Sequence, residues 1–293
     1  MREQKNILYF CNMIKKVCVV GAGTMGSGIA LTAAQNGFEV VLFDINENVL
    51  ESAKLLIGKN LDFLISKEKI SEAQKTVILQ HLLFTTNADE CLADIVIEAI
   101  VEKLEAKEKI FISLAAINAP STILASNTSS LSITAIQKNI PSPGRVVGMH
   151  FFNPANVMKL VEVVKGAQTD DATASEVMQL CLDLKKTPVL CNDAPGFIVN
   201  RVARHYYLEA MKLVEQKIAT IENVDAAMEA AGFKMGPFRL MDLIGMDINY
   251  AVSESVYAAF DNAERFRPSP IQKEKVEKGE LGKKTGKGFY QYS

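Results

Sequence analysis

Three histidines occur in the 293-residue chain, and one of them is placed to do chemistry. His150 sits near the end of the apolar run RVVGMHFF and leads through Phe151 and Phe152 into Asn153-Pro154, where proline stops strand pairing. Twelve residues after it, Glu162 interrupts the apolar run MKLVEVV. An ionised carboxylate there is costly without a partner. A histidine is the useful partner, because the pair orients the ring, raises its basicity and stabilises the imidazolium. Two unrelated residues fit the same spacing, so the dyad stays open at this point. His81, between helical and strand-like apolar segments, and His205, inside a long helical stretch, read as structural or solvated.

A second group of residues binds rather than reacts. Gly21-Ala22-Gly23-Thr24-Met25-Gly26 follows a strand-like run and opens a helical one. The first glycine permits a tight turn, the second lets the backbone approach a pyrophosphate, and the third lets helix and strand pack closely. The helix N-terminus then offers N–H groups and positive dipole to phosphates. Asp44, 23 residues after Gly21, ends the next strand-like run. It can accept hydrogen bonds from both ribose hydroxyls and repels a 2′-phosphate, which favours NAD over NADP. The bland alternative is a glycine turn without ligand.

Ser126-Asn127-Thr128-Ser129-Ser130 admits two readings as well. The run suits a helix cap before LSITAI. It also places hydroxyls at the carboxyl end of a strand, where open α/β sheets hold ligands. A serine-hydrolase reading fails for lack of a G-x-S-x-G elbow.

These residues need a frame, and the hydrophobic pattern supplies one. Strand-like runs at 15–20, 39–44, 82–86, 94–100, 122–127, 145–152, 158–164 and 187–191 alternate with helical periods at 23–35, 47–65 and 71–80. Strands separated by helices imply βαβ units and a mostly parallel sheet. After Asp193-Ala194-Pro195-Gly196 the strands stop and helical periods fill 197–216, 221–231, 239–263 and 270–280, with Asp193 expected to cap the first and Pro195 in its first turn. The fold class expected is α/β: a Rossmann-like, mostly parallel sheet domain over 14–192, then an all-helical C-terminal domain over 193–293.

Composition narrows the partners. Apolar residues make up 48% of the chain, too many for disorder, and 32 basic against 34 acidic residues leave a net charge of −2. No basic cluster suggests nucleic acid. Five cysteines form an odd set without C-x-x-C spacing, so neither a disulfide framework nor a zinc site is expected and a reducing, cytoplasmic setting is. No apolar run approaches the roughly 18 residues of a membrane helix. Residues 1–13 read as a flexible N-terminal extension without the marks of a targeting segment, and Met13 directly before the first strand as a natural start.

Taken together, VVGAGTMGSGIA, IEAIVEKLEAK, ASNTSSL, GMHFFNPANVMKLVEVV, DAPGFIVNR, MGPFRLMDLIGMD and GKKTGKGFY resemble the L-3-hydroxyacyl-CoA dehydrogenases, in particular the short bacterial 3-hydroxybutyryl-CoA type. The resemblance covers about residues 14–292. It implies a Rossmann-like domain, a helical domain carrying the contact of a homodimer, and a site in the cleft between them. It puts the catalytic dyad on His150 and Glu162, and substrate contacts on Ser129 and Asn200. NAD contacts fall on the glycine loop, Asp44, Ala99, Glu102, Lys107, Ser129, Asn153 and Lys284, and coenzyme A contacts near Asn60 and Lys67. The reaction implied is hydride transfer between NAD(H) and C3 of a short-chain (S)-3-hydroxyacyl-CoA, without a metal, in butanoate or fatty-acid metabolism.

Two rivals remain. A related dehydrogenase of a free hydroxy acid or sugar acid could use the same fold, although the β-hydroxyisobutyrate type calls for a lysine where this chain offers His150 with Glu162. A non-catalytic NAD-binding sensor is the other, disfavoured because every catalytic residue type is retained. At 293 residues the sequence has no room for the hydratase module of the multifunctional β-oxidation proteins.

Overall fold

The computed structural model describes residues 14–292, so the N-terminal extension, with Cys11 and Met13, lies outside the described residues. The chain divides into two compact units between Asp193 and Ala194.

The first unit is built on a sheet of eight strands in the order β3-β2-β1-β4-β5-β6-β7-β8. The strands are β1 (Lys16–Val20), β2 (Glu39–Phe43), β3 (Leu82–Thr85), β4 (Ile95–Glu98), β5 (Ile123–Ser126), β6 (Val146–Phe151), β7 (Leu160–Lys165) and β8 (Thr187–Asn192). Helices α1 (Thr24–Gln35), α2 (Glu47–Ser66), α3 (Glu72–Gln80), α4 (Leu104–Ile117), α5 (Ile133–Gln137) and α6 (Asp171–Asp183) connect them. Every residue of β4, β5 and β6 is buried, the mark of strands covered on both faces. Ladders from β3 through β6 are parallel, with helical crossovers in the links β1–β2, β2–β3, β4–β5 and β5–β6 and only a short 3-10 turn between β3 and β4. The link from β6 to β7 has no helix, and that pair runs antiparallel, with His150 opposite Glu162. Helix α6 then restores a parallel β7–β8 pair. The mostly parallel sheet expected from the alternation is the sheet found.

Local signals start the helices. Asn46 accepts the Asn48 N–H at 3.0 Å to begin α2, and Ser71 and Gln74 form a reciprocal box at the start of α3. The cap expected of Asp193 is different. Its Oδ2 accepts from Ser132 Oγ at 2.6 Å and Thr134 N at 2.8 Å, at the start of α5. The following helix begins later than expected, at Val199, because Gly196 and Phe197 both take positive φ and turn the chain first.

The second unit holds α7 (Val199–Glu215), α8 (Ile221–Ala230), α9 (Pro237–Ile244), α10 (Met246–Ala259) and α11 (Pro270–Glu277). Its core gathers Tyr207, Leu208, Met211, Val224, Phe238, Met241 and Met246. The single helix expected over 239–263 is two, since Gly245 at φ +101° breaks it. Two buried aspartates fasten the C-terminal segment. Asp225 accepts from Phe238 N, Arg239 N and the Tyr290 hydroxyl, and Asp242 from Phe289 N, Tyr290 N and the Tyr292 hydroxyl. Among the described residues, no helix is long and apolar enough to cross a membrane.

Candidate active site

The ends of the parallel strands carry most of the residues singled out above. His150 on β6 is 4% exposed and Glu162 on β7 is 1% exposed. Their side chains meet with Nδ1 2.8 Å from Oε2. An ionised carboxylate only accepts, so the shared proton belongs on Nδ1. Nε2 of a neutral ring is then an acceptor, and Ser129 Oγ lies 3.1 Å from it. The imidazole is fixed on one side and offered to a hydroxyl on the other.

Ser129 is set by a carboxylate behind it. Glu102 Oε1 accepts from Ser129 N at 2.9 Å, Ser130 N at 3.1 Å, Ser130 Oγ at 3.1 Å and Thr128 Oγ1 at 2.5 Å. Burial works to raise the Glu102 pKa, but the Lys107 ammonium, the Thr128 hydroxyl and the Ser129 N–H together hold it below the usual carboxylate range. Lys107, 1% exposed, reaches Glu98 at 2.5 Å and Glu102 at 3.2 Å. Glu98 is fully buried and also accepts from Ile100 N and Ser126 Oγ. Glu98, Asn127 and this carboxylate–ammonium–carboxylate chain were not foreseen from the sequence. Asn127 Oδ1 takes the Phe151 N–H at 2.8 Å, joining the serine loop to the strand of His150. The signal in the sequence is an acid, Glu98, inside the apolar run DIVIEAI. The serine-rich run both caps and presents: Thr128 Oγ1 accepts the Leu131 N–H and Ser132 caps α5, while Ser129 faces the imidazole.

The glycine loop has the shape a dinucleotide needs. Gly21 takes φ +96°, and a Cβ on Gly26 would lie 1.7 Å from the Gly21 carbonyl oxygen. A Cβ on Gly21 would lie 2.7 Å from the Ala99 carbonyl oxygen, so Ala99 borders the loop. Gly23 faces open space and no side chain caps α1, which leaves the helix N-terminus for an anion. Asp44 braces the loop, with Oδ2 accepting Ala22 N at 2.9 Å and Oδ1 accepting Asn46 N at 2.9 Å. Its remaining lone pairs suit ribose hydroxyls. Ile45, 87% exposed, and Val101, 63% exposed, follow the strands on either side of β1; the sequence reading did not single them out. These residues fit the dinucleotide.

The other expected site residues come from the turn after β6, from α2 and from the second unit. Asn153 is exposed and begins the turn after β6, joined to Pro154 by a cis peptide. Asn60 and Lys67 sit on and just after α2, where the Lys67 ammonium lies 5.6 Å from the centre of the Phe63 ring. Asn200 and Lys284 belong to the second unit. Asn200 stands in the first turn of α7 with its carbonyl accepting from Arg204 Nε, and Lys284 pairs with Asp247 at 2.5 Å. His81 ends α3, and His205 packs its ring 5.0 Å from that of Phe266.

Two family models match the chain. Residues 16–194 fit the 3-hydroxyacyl-CoA dehydrogenase NAD binding domain, and residues 196–292 fit the C-terminal domain of that family. The chain belongs to the 3-hydroxyacyl-CoA dehydrogenase family. NAD is accordingly the dinucleotide that the glycine loop receives. The 3-hydroxyadipyl-CoA dehydrogenase of Escherichia coli is 47% identical over 281 residues, which is 95% of this chain but 59% of that protein. A probable 3-hydroxybutyryl-CoA dehydrogenase of Deinococcus radiodurans is 42% identical over 94% of this chain and 100% of its own length. In three dimensions the (S)-3-hydroxybutyryl-CoA dehydrogenase of Ralstonia eutropha matches with a TM-score of 0.90 at 40% identity, covering 96% of this chain and 99% of that one.

Proposed function

We propose that the chain transfers a hydride between NAD(H) and C3 of a short-chain (S)-3-hydroxyacyl-CoA, interconverting 3-hydroxybutyryl-CoA and acetoacetyl-CoA. The observation that carries this reading is the His150 ring held between Glu162 and Ser129. The nicotinamide, when bound, supplies or takes up the hydride. Proton transfer and charge fall to the protein. In oxidation His150 Nε2 takes the proton of the C3 hydroxyl, and in reduction it returns one to the ketone oxygen. A base held this way contributes about 10²–10⁴-fold. Glu162 keeps Nδ1 protonated and offsets the charge of the imidazolium. The Ser129 hydroxyl hydrogen-bonds the reacting oxygen, and Asn200 donates to the thioester end, favouring the polarised transition state.

Cofactor recognition is assigned to Gly21 through Gly26, Asp44, Ala99, Glu102, Lys107, Ser129, Asn153 and Lys284, with Lys107 acting through Glu102. Asn60 and Lys67 are assigned to coenzyme A. The same reading makes the protein a cytoplasmic homodimer. Free thiols at Cys18, Cys91, Cys181 and Cys191 support the compartment. Val202, Leu243 and Ile248, large apolar side chains 66%, 51% and 47% exposed on the helical unit, support the pairing.

Steady-state reduction of 3-ketoacyl-CoA thioesters from four to sixteen carbons, 3-oxoadipyl-CoA and free acetoacetate, each with NADH and NADPH, tests the reading. It expects the highest kcat/KM with acetoacetyl-CoA and NADH. Preference for a free acid would move the chain to the hydroxy-acid rival, and no turnover with any of them would leave the sensor.

A further inference from the structure

The turn between β6 and β7, residues 152–159, joins the strand of His150 to the strand of Glu162. It begins with Phe152, whose ring lies 4.6 Å from the His150 ring, and with Asn153. Within it Val157 N and Met158 N both donate to Pro154 O, which makes a single helical turn. Such a turn leaves carbonyls without backbone partners. The Lys186 ammonium satisfies two of them, donating to Ala155 O at 2.6 Å and Met158 O at 2.9 Å.

Lys186 is 8% exposed and directly precedes β8. Its recorded partners are main-chain carbonyls, and among the described residues no acid pairs with it. Burying an ammonium without a counter-ion carries a desolvation cost, so the position demands more than filling space. Burial and the neighbouring Lys159 both push its pKa below the usual lysine value. The other side of the turn is equally confined. Ala155 is 1% exposed, and a Cβ on Gly28 of α1 would lie 3.1 Å from its own Cβ. The turn is therefore held between α1, which begins at the glycine loop, and a buried ammonium at the foot of β8.

We propose that Lys186 is a positioning residue for the His150–Glu162 pair, fixing through Ala155 and Met158 the turn that spaces their strands and seats Phe152 against the imidazole. The inference rests on the hydride-transfer reading given above. Lys186 touches neither substrate nor cofactor in this account. It acts by denying the turn alternative positions, and small displacements of a catalytic group have large kinetic effects.

The test uses the full chain with three substitutions. Lys186→Met keeps length and removes the donors, Lys186→Gln keeps an amide donor, and Lys186→Arg keeps the charge. Each is assayed for NADH affinity, kcat and its pH profile with acetoacetyl-CoA, melting temperature, and amide hydrogen exchange over 154–159. For Lys186→Met the expectation is a kcat lower by about tenfold or more, a displaced pH–rate profile and faster exchange over 154–159. NADH affinity should hold within about threefold, and Lys186→Arg should recover most of the kcat. If Lys186→Met does not fold, Lys186→Gln carries the test with the same expected pattern and a smaller loss. Wild-type kcat and pH profile in the neutral variants, with or without a lowered melting temperature, would overturn the inference. So would a loss of activity accounted for by weaker NADH binding. An inactive wild type would instead sink the hydride-transfer reading and this inference with it.

Discussion

The Ser129 hydroxyl lies 3.1 Å from His150 Nε2, while the Glu162 carboxylate lies 2.8 Å from Nδ1, the other nitrogen of the ring. The residues come from the loop after β5, from β6 and from β7, so three neighbouring strands converge on one imidazole. The antiparallel register is what brings the acid to the ring: a shift of one residue on β7 would turn Glu162 to the other face of the sheet.

Glu162→Gln keeps the shape of the pair and removes its charge. The variant is expected to bind NADH normally and to show a lowered kcat and a changed pH–rate profile, because the imidazolium has lost its counter-charge. An unchanged profile contradicts the pairing as a functional one.

Asp44 braces Ala22 N, and the proposed reading has it accept from ribose as well. Asp44→Ser is expected to weaken NADH binding and to narrow the preference for NADH over NADPH, since like-charge repulsion of the 2′-phosphate disappears. Binding titrations of both dinucleotides read this directly. A wild type that prefers NADPH would remove Asp44 from its discriminating role.

Gly26→Ala places a methyl group where the Gly21 carbonyl oxygen already stands, 1.7 Å away. The helix must back away from β1 or the loop must open, at a cost of roughly 1–3 kcal/mol. A lowered melting temperature and loss of NADH binding should appear together. Gly23→Ala meets open space, so its effect should fall on dinucleotide affinity with little loss of stability.

Glu102 gives a stability effect with a defined sign. Its folded-state pKa is depressed, so its ionised form stabilises the fold above the unfolded carboxylate value of about 4.3, and the contribution fades as pH falls through the folded value. Glu102→Gln should therefore melt below the wild type at neutral pH, and the gap should shrink under acid conditions. A gap independent of pH would mean that the serine loop does not depend on the Glu102 charge.

Much of this was legible in the sequence because it is written locally. Continuous apolar runs separated by helical periods specify a covered parallel sheet, and Gly21, Gly23 and Gly26 mark a turn that tolerates no side chain at its tightest point. Long-range polar contacts were not legible. Asp193 caps α5, some sixty residues earlier in the chain, and positive φ at Gly196 and Phe197 delays the helix it precedes. Lys107 and Glu98 look like an ordinary helix lysine and strand acid until the fold buries both. The runs MGPFRLMD and GKKTGKGFY contribute to the resemblance, yet Phe238, Arg239, Phe289 and Tyr290 offer main-chain N–H groups to Asp225 and Asp242, a structural clasp.

The most direct measurement of the central claim is NADH oxidation on mixing with acetoacetyl-CoA, recorded for the wild type and His150→Gln alongside an NADH binding titration of each. The account expects wild-type turnover to the 3-hydroxy thioester, a fall of about 10²–10⁴-fold in kcat for the variant, and equal NADH affinity for both. Near-wild-type kcat in His150→Gln, with NADH bound equally well, would contradict it.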